Sequence, residues 1–199
     1  PFVVVVIISV IASVLVAPHV DLEPQLREQY EKANMSDEQI EQSLAMVARF
    51  QKFQAAVTAV FVPIIILIVA AVFLLLVKMF GGAGGFVHFL SITCYGWIPQ
   101  VIKAVILTAI IVPRGMIDAR QLGTLLRSNP GFLADPVDAP ALFSLLSSLD
   151  VFTFWTLFLF TIGISEAAGF SRGRAAALVV IPWALFVLGK VGLAAVMGG

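Results

Sequence analysis

The stretch AAVTAVFVPIIILIVAAVFLLLVKMF, Ala55–Phe80, decides the fold, with Lys78 its only charged residue. Rising 1.5 Å per residue, a helix of this length reaches about 39 Å and crosses the roughly 30 Å hydrocarbon core of a bilayer with some tilt. Within lipid the backbone must satisfy its own polar groups, so the segment is a helix. Four further apolar stretches flank it: 2–17, 86–112, 142–164 and 175–197. The chain as a whole is 60% hydrophobic and 12% charged, with mean hydropathy +1.04. A soluble domain carries about 25% charged residues; here the polar surface needed in water is missing.

The expected fold is an all-α integral membrane protein, a bundle of about five transmembrane helices forming a single domain over residues 1–199. Phe2–Ala17 is short for a span, about 24 Å, and lacks both a positive n-region and a signal-type cleavage site. It is expected to be a first span whose beginning, with a cytoplasmic segment, has been cut away. Pro63, Pro99 and Pro182 lie inside spans. They free the carbonyls of Ala59, Tyr95 and Leu178 and favour kinks.

Between the first two spans, Pro18–Lys32 is mixed and charged. Ser36 then stands as N-cap with Gln39 at the capping-box position. Ile40, Leu44 and Val47 recur at helical spacing, as do Met46, Phe50 and Phe53. This pattern predicts an amphipathic interfacial helix over 36–54 that packs on the bundle and continues into the second span. Asn34-Met35-Ser36 is also a glycosylation sequon, although capping already accounts for the serine. Gly81–Gly85 reads as a tight turn, because the Gly-Lys-Ser/Thr ending of a phosphate loop is missing. Arg114–Ala141 is a longer loop with turn signals at Asn129-Pro130-Gly131 and Asp135-Pro136.

Several functions are excluded by composition. No long basic run exists, so nucleic-acid binding lacks an electrostatic basis. Cys94 is the only cysteine, and no internal disulfide can form. His19 and His88 lie far apart without a His-Glu-x-x-His pattern, and no metal site is expected. Gly163-Ile164-Ser165-Glu166-Ala167 lacks the second glycine of a nucleophile elbow; Gly163 and Ala167 more simply form a packing face. No catalytic residue, cofactor or metal is expected.

Seven of the 12 acidic residues fall between Asp21 and Glu41. Three ionisable residues lie within the apolar stretches: Lys103, Asp150 and Lys190. Each is eight or nine residues from the same membrane face, counted to Val112, from Leu142 and to Gly198. That places all three about 12–14 Å deep, where an unpaired charge costs several kcal/mol. The simplest solution is an Asp150 carboxylate held between Lys103 and Lys190, helped by Gln100 and Thr153. Two readings follow: an ion-pair clamp between spans, or a polar site for a solute or proton. Snorkelling lysines would dissolve the cluster. At the other face Glu166 meets Arg172 and Arg174, and Tyr95, Trp97, Trp155 and Trp183 are expected to pack as core aromatics.

The run Asp150-Val151-Phe152-Thr153-Phe154-Trp155 resembles the Asp-x-Phe-x-x-Trp signature of the Yip family, the Ypt/Rab-interacting membrane proteins. Gly81-Gly82 before the third span agrees with it, as do Tyr95-Gly96-Trp97-Ile98-Pro99 within that span and Gly189-Lys190-Val191-Gly192 near the end. The resemblance covers Ala55–Gly199 well, and the first span by position. It implies five spans, a cytoplasmic N-terminus and an extracytoplasmic C-terminus. The basic-residue count does not favour that orientation: seven Lys/Arg lie on the loops of the face that carries the C-terminus and three on the other. The charged Pro18–Gln54 segment is similar to the prokaryotic branch, which implies a bacterial inner membrane. The expected partners are the lipid bilayer and other membrane proteins or further copies of the chain, with a small GTPase by family analogy only. The reading is a non-enzymatic scaffold or adaptor; the alternative is a transporter or channel component using the Lys-Asp-Lys cluster.

Overall fold

A computed structural model describes residues 1–51 and 53–197. Lys52, within the expected 36–54 helix, and Gly198 and Gly199, the expected C-terminal limit, lie outside the described residues. Among the described residues five segments are long and apolar enough to cross a membrane: Phe2–His19, Ala56–Met79, Phe86–Arg114, Val151–Ala168 and Arg172–Val196. The first contains α1 (Phe2–Val16) and the second α4 (Gln54–Met79). The third is built from α5 (Phe86–Gly96) and α6 (Ile98–Ile111). The last two are α9 (Val151–Ala168) and α10 (Arg172–Met197).

Prolines act differently in different spans. Pro63 and Pro182 lie inside continuous helices. At Pro99 the kink becomes a break: α5 stops at Gly96, and the Trp97 N–H turns to the carbonyls of Thr93 and Tyr95. Proline in the first turn of α6 then needs no N–H partner. Gly96 lies at this break against Phe160 of α9.

The core holds α4, α5, α9 and α10 together through Phe73, Val77, Phe89, Phe160, Ile164 and Leu178. Phe73 and Phe160 meet edge to face, with centroids 5.1 Å apart. A second cluster, Val5, Ile66, Cys94 and Val101, attaches α1 to α4, α5 and α6. Ser13 and Thr58 add a hydroxyl hydrogen bond of 3.0 Å between α1 and α4. Most other span residues point outward, as expected where lipid is the solvent. Tyr95 and Trp155 are among these outward residues, contrary to the expectation that they pack in the core. Trp97 packs against both clusters, and Trp183 meets Phe154 edge to face at 6.0 Å.

The glycine-rich turn closes the bundle at one end. Gly81 and Gly84 have positive φ of 74° and 97°, which glycine adopts without steric cost. The Ala83 N–H donates to the Ala168 carbonyl, 3.2 Å away, tying this turn to the end of α9.

The polar segments are more ordered than their composition predicts. Glu23–Lys32 forms a helix, α2, which the charged sequence did not signal. Helix α3 spans Asp37–Gln51 and begins with the expected capping box: Gln39 Oε1 accepts the Ser36 N–H at 3.0 Å, and Ser36 Oγ accepts the Gln39 N–H at 3.4 Å. The expected continuation into the second span is interrupted, since Phe53 lies in a turn before α4. The loop after the third span carries the short α7 (Ala119–Leu122) and then α8 (Pro140–Ser148). Its start pairs in parallel with the segment after α1, joining β1 (Val20–Asp21) to β2 (Ile117–Asp118).

The fourth apolar stretch also differs from its reading as one helix over 142–164. Leu149 (φ −84°, ψ 59°) and Asp150 (φ −101°, ψ 137°) leave helical geometry between α8 and α9. Asp150 is therefore the N-cap of α9, not an interior residue of a continuous span.

Candidate functional site

Asp150 is 1% exposed and has hydrogen-bond donors on both carboxylate oxygens. Its Oδ1 accepts the Phe152 N–H at 2.9 Å, satisfying one of the orphan donors at a helix start. Its Oδ2 accepts from Lys103 Nζ at 2.8 Å, from Asn129 Nδ2 at 3.3 Å, and from the Ser128 hydroxyl. The Lys103 side chain is 24% exposed. A carboxylate with this many donors remains charged although buried, because hydrogen bonds and a cation replace its hydration.

Ser128 and Asn129 come from the loop after the third span, and sequence reading assigned that stretch only a turn. Asn129 organises it: Oδ1 accepts the Gly131 N–H at 2.9 Å, and Nδ2 also donates to the Gly123 carbonyl at 3.0 Å. The Val151 N–H donates to the Ser128 carbonyl at 3.0 Å. Asp150 thus joins three pieces: α6 through Lys103, the loop through Ser128 and Asn129, and the start of α9. One signal for this was present, an Asp immediately before an apolar helical run, which is an N-cap pattern.

The other members of the expected cluster lie elsewhere. Among the described residues the ion-pair partner of Asp150 is Lys103 alone. Lys190 is exposed on α10 and does not complete the triad. Gln100 donates to Thr156 Oγ1 at 3.4 Å, bonding α6 to α9 away from the carboxylate. Among the described residues neither Gln100 nor Thr153 bonds Asp150. The expectation of one depth counts Asp150 inward from Leu142 along one helix, and the break at Leu149 removes that count: Asp150 stands at the start of α9.

Around Asp150 the extramembrane segments form a cap. Arg120 grips Asp118 through Nη2 at 2.6 Å and Nε at 2.9 Å, and reaches Glu28 of α2 at 3.0 Å. Lys32 bridges Asp138 at 2.7 Å. The Arg120 guanidinium holds the Asp118 carboxyl below the usual carboxylate range. The backbone N–H groups of Val137 and Asp138 do the same for Asp135. A depressed folded pKa contributes stability that is present above the unfolded value, about 3.9 for Asp, and lost as pH falls through the folded one. Protection of the β1–β2 segment from amide exchange, corrected for intrinsic rates, is therefore expected to be flat from about pH 8 to 5 and to fall below about pH 4. A loss of protection already near neutrality would contradict this linkage.

At the opposite end Glu166 pairs with Arg172 at 3.8 Å. Arg174 does not join them. It donates to the Phe80 carbonyl and lies 4.2 Å from the Phe170 ring centroid, fixing the glycine-rich turn to α10.

The signature residues have structural roles in this arrangement: Asp150 caps α9, Pro99 breaks the third span, and Gly82 lies against Phe170 and Val77. Phe152 is half-buried in the first turn of α9 and Trp155 faces outward. A family model for the Yip1 domain matches residues 1–193. The chain belongs to the Yip1 domain family. It is thus a multi-pass integral membrane protein of that family. No curated protein and no solved structure matches it.

Proposed function

We propose that this Yip1 domain protein is a non-enzymatic scaffold or adaptor that organises other membrane proteins, as a single membrane domain. The observation carrying this reading is the state of the buried carboxylate at the start of α9. Asp150 is buried and bonded to Lys103, Ser128, Asn129 and the α9 backbone, so its charge holds the fold together. A solute or proton site lines a water-filled cavity, whereas Asp150 is 1% exposed. Among the described residues every buried side-chain nitrogen or oxygen already has a partner. The exposed apolar helix faces supply the surface by which other membrane proteins, or further copies, would be held. Family resemblance supports a bacterial inner membrane with the N-terminus cytoplasmic, and makes a small GTPase a candidate partner by analogy.

Purified protein reconstituted in liposomes with an internal pH dye tests this against transport. Under an imposed potential, proton leak is expected to equal that of empty liposomes, for the parent chain and for Asp150→Asn alike. A leak or ion flux that the parent supports and Asp150→Asn abolishes would overturn the proposal.

A further inference from the structure

Helix α3 has two apolar sides, and the protein uses only one. Ile40, 1% exposed, and the half-buried Leu44 and Val47 face inward. That side is held by the Arg27–Glu41 pair at 2.7 Å and by Gln51 Nε2 donating to the Val20 carbonyl at 2.9 Å. Met46, Phe50 and Phe53 remain 61%, 66% and 64% exposed. At 100° per residue Met46 and Phe50 of α3 fall within an arc of about 40°, and Phe53 follows in the turn that leads to α4. From that junction the outward apolar surface continues along the second span through Val57, Val60, Phe61 and Ile64.

We infer that the Met46–Phe50–Phe53 stripe inserts into the bilayer leaflet on the side of the cap, as a wedge beside the second span. Its occupant is the lipid headgroup–acyl boundary, and continuity with the outward face of α4 decides this. A chain anchored by α4 has its Phe53 end at the membrane surface, so the stripe lies at the level where apolar side chains enter about 5–10 Å below the headgroups. Arg49, exposed and about 60° around the helix from Met46, brings a guanidinium to the phosphate level. At the far end of α3, Asp37, Glu38 and Glu41 keep the first turns in water. The helix enters the leaflet by its C-terminal half only. The inference does not depend on the scaffold reading.

The test uses the full chain, purified and reconstituted in phosphatidylcholine–phosphatidylglycerol vesicles. Phe50→Cys, and separately Glu38→Cys, is labelled with an environment-sensitive maleimide dye; Cys94 is buried, and mock labelling of the parent measures any background. Iodide is supplied on both sides of the bilayer, and a nitroxide is carried high on the lipid acyl chain. The expected result at position 50 is severalfold stronger quenching by the lipid nitroxide than by iodide, with the ratio reversed at position 38. Iodide quenching at both positions would overturn the inference. Shielding of position 50 from iodide and nitroxide together would also overturn it, because the stripe would then be covered by a second copy. Should Phe50→Cys fold poorly, Met46→Cys gives the same readout.

Discussion

Replacing Asp150 with Ala is expected to destabilise the fold by about 3–5 kcal/mol, the usual cost of breaking a buried charge pair by removing one partner. The change removes the acceptor for the Phe152 N–H and leaves Ser128, Asn129 and Lys103 without their common partner. Lys103, partly exposed, regains some hydration, whereas the start of α9 does not. Unfolding in detergent monitored by circular dichroism measures the loss, and a cost below about 1 kcal/mol would rule out a central role for the carboxylate. A double-mutant cycle with Lys103→Met separates the ion pair from the cap, and its coupling is expected within about 0.5–3 kcal/mol. Exchanging the charges, Asp150→Lys with Lys103→Asp, is not expected to restore stability. A lysine at 150 can form an ion pair with an aspartate at 103 but cannot accept the backbone N–H of Phe152.

The partners of Asp150 divide into those legible in the sequence and those that are not. Lys103 and Asp150 were recoverable because a charge in an apolar run is costly without a partner, and only a few candidates exist. Ser128 and Asn129 were not, because polar residues in a turn are common and nothing local says which carboxylate they face. Counting residues along ideal helices places Lys190 in the cluster, and the count fails for Asp150, where Leu149 interrupts the helix. The spans themselves were legible, since lipid imposes length and hydropathy on a helix directly. Helix α2 was not, because five of its ten residues are charged and its ion-pair partners Glu41, Arg120 and Asp138 lie outside it.

Gly96→Ala is expected to be destabilising by about 1–3 kcal/mol, whereas Gly189→Ala in α10 should be neutral or stabilising by up to about 1 kcal/mol. The two glycines differ in what a methyl group would meet. A Cβ on Gly96 would fall 2.2 Å from the Phe160 ring, and on Gly189 nothing lies within 4 Å. Phe160 cannot readily withdraw, being buried against the Phe73 edge. Alanine relieves the propensity cost of glycine in both helices, so that contribution cancels in the comparison and the clash remains. Between helices in lipid there is no gain from leaving water; close packing carries the association. A spacer at the α5–α9 contact therefore removes attraction that no hydrophobic effect restores. Adding Phe160→Leu to Gly96→Ala makes room for the methyl, and the pair should be less destabilising than the sum of the single changes. Equal melting temperatures for Gly96→Ala and Gly189→Ala would show that the α5–α9 contact contributes little to holding the bundle together.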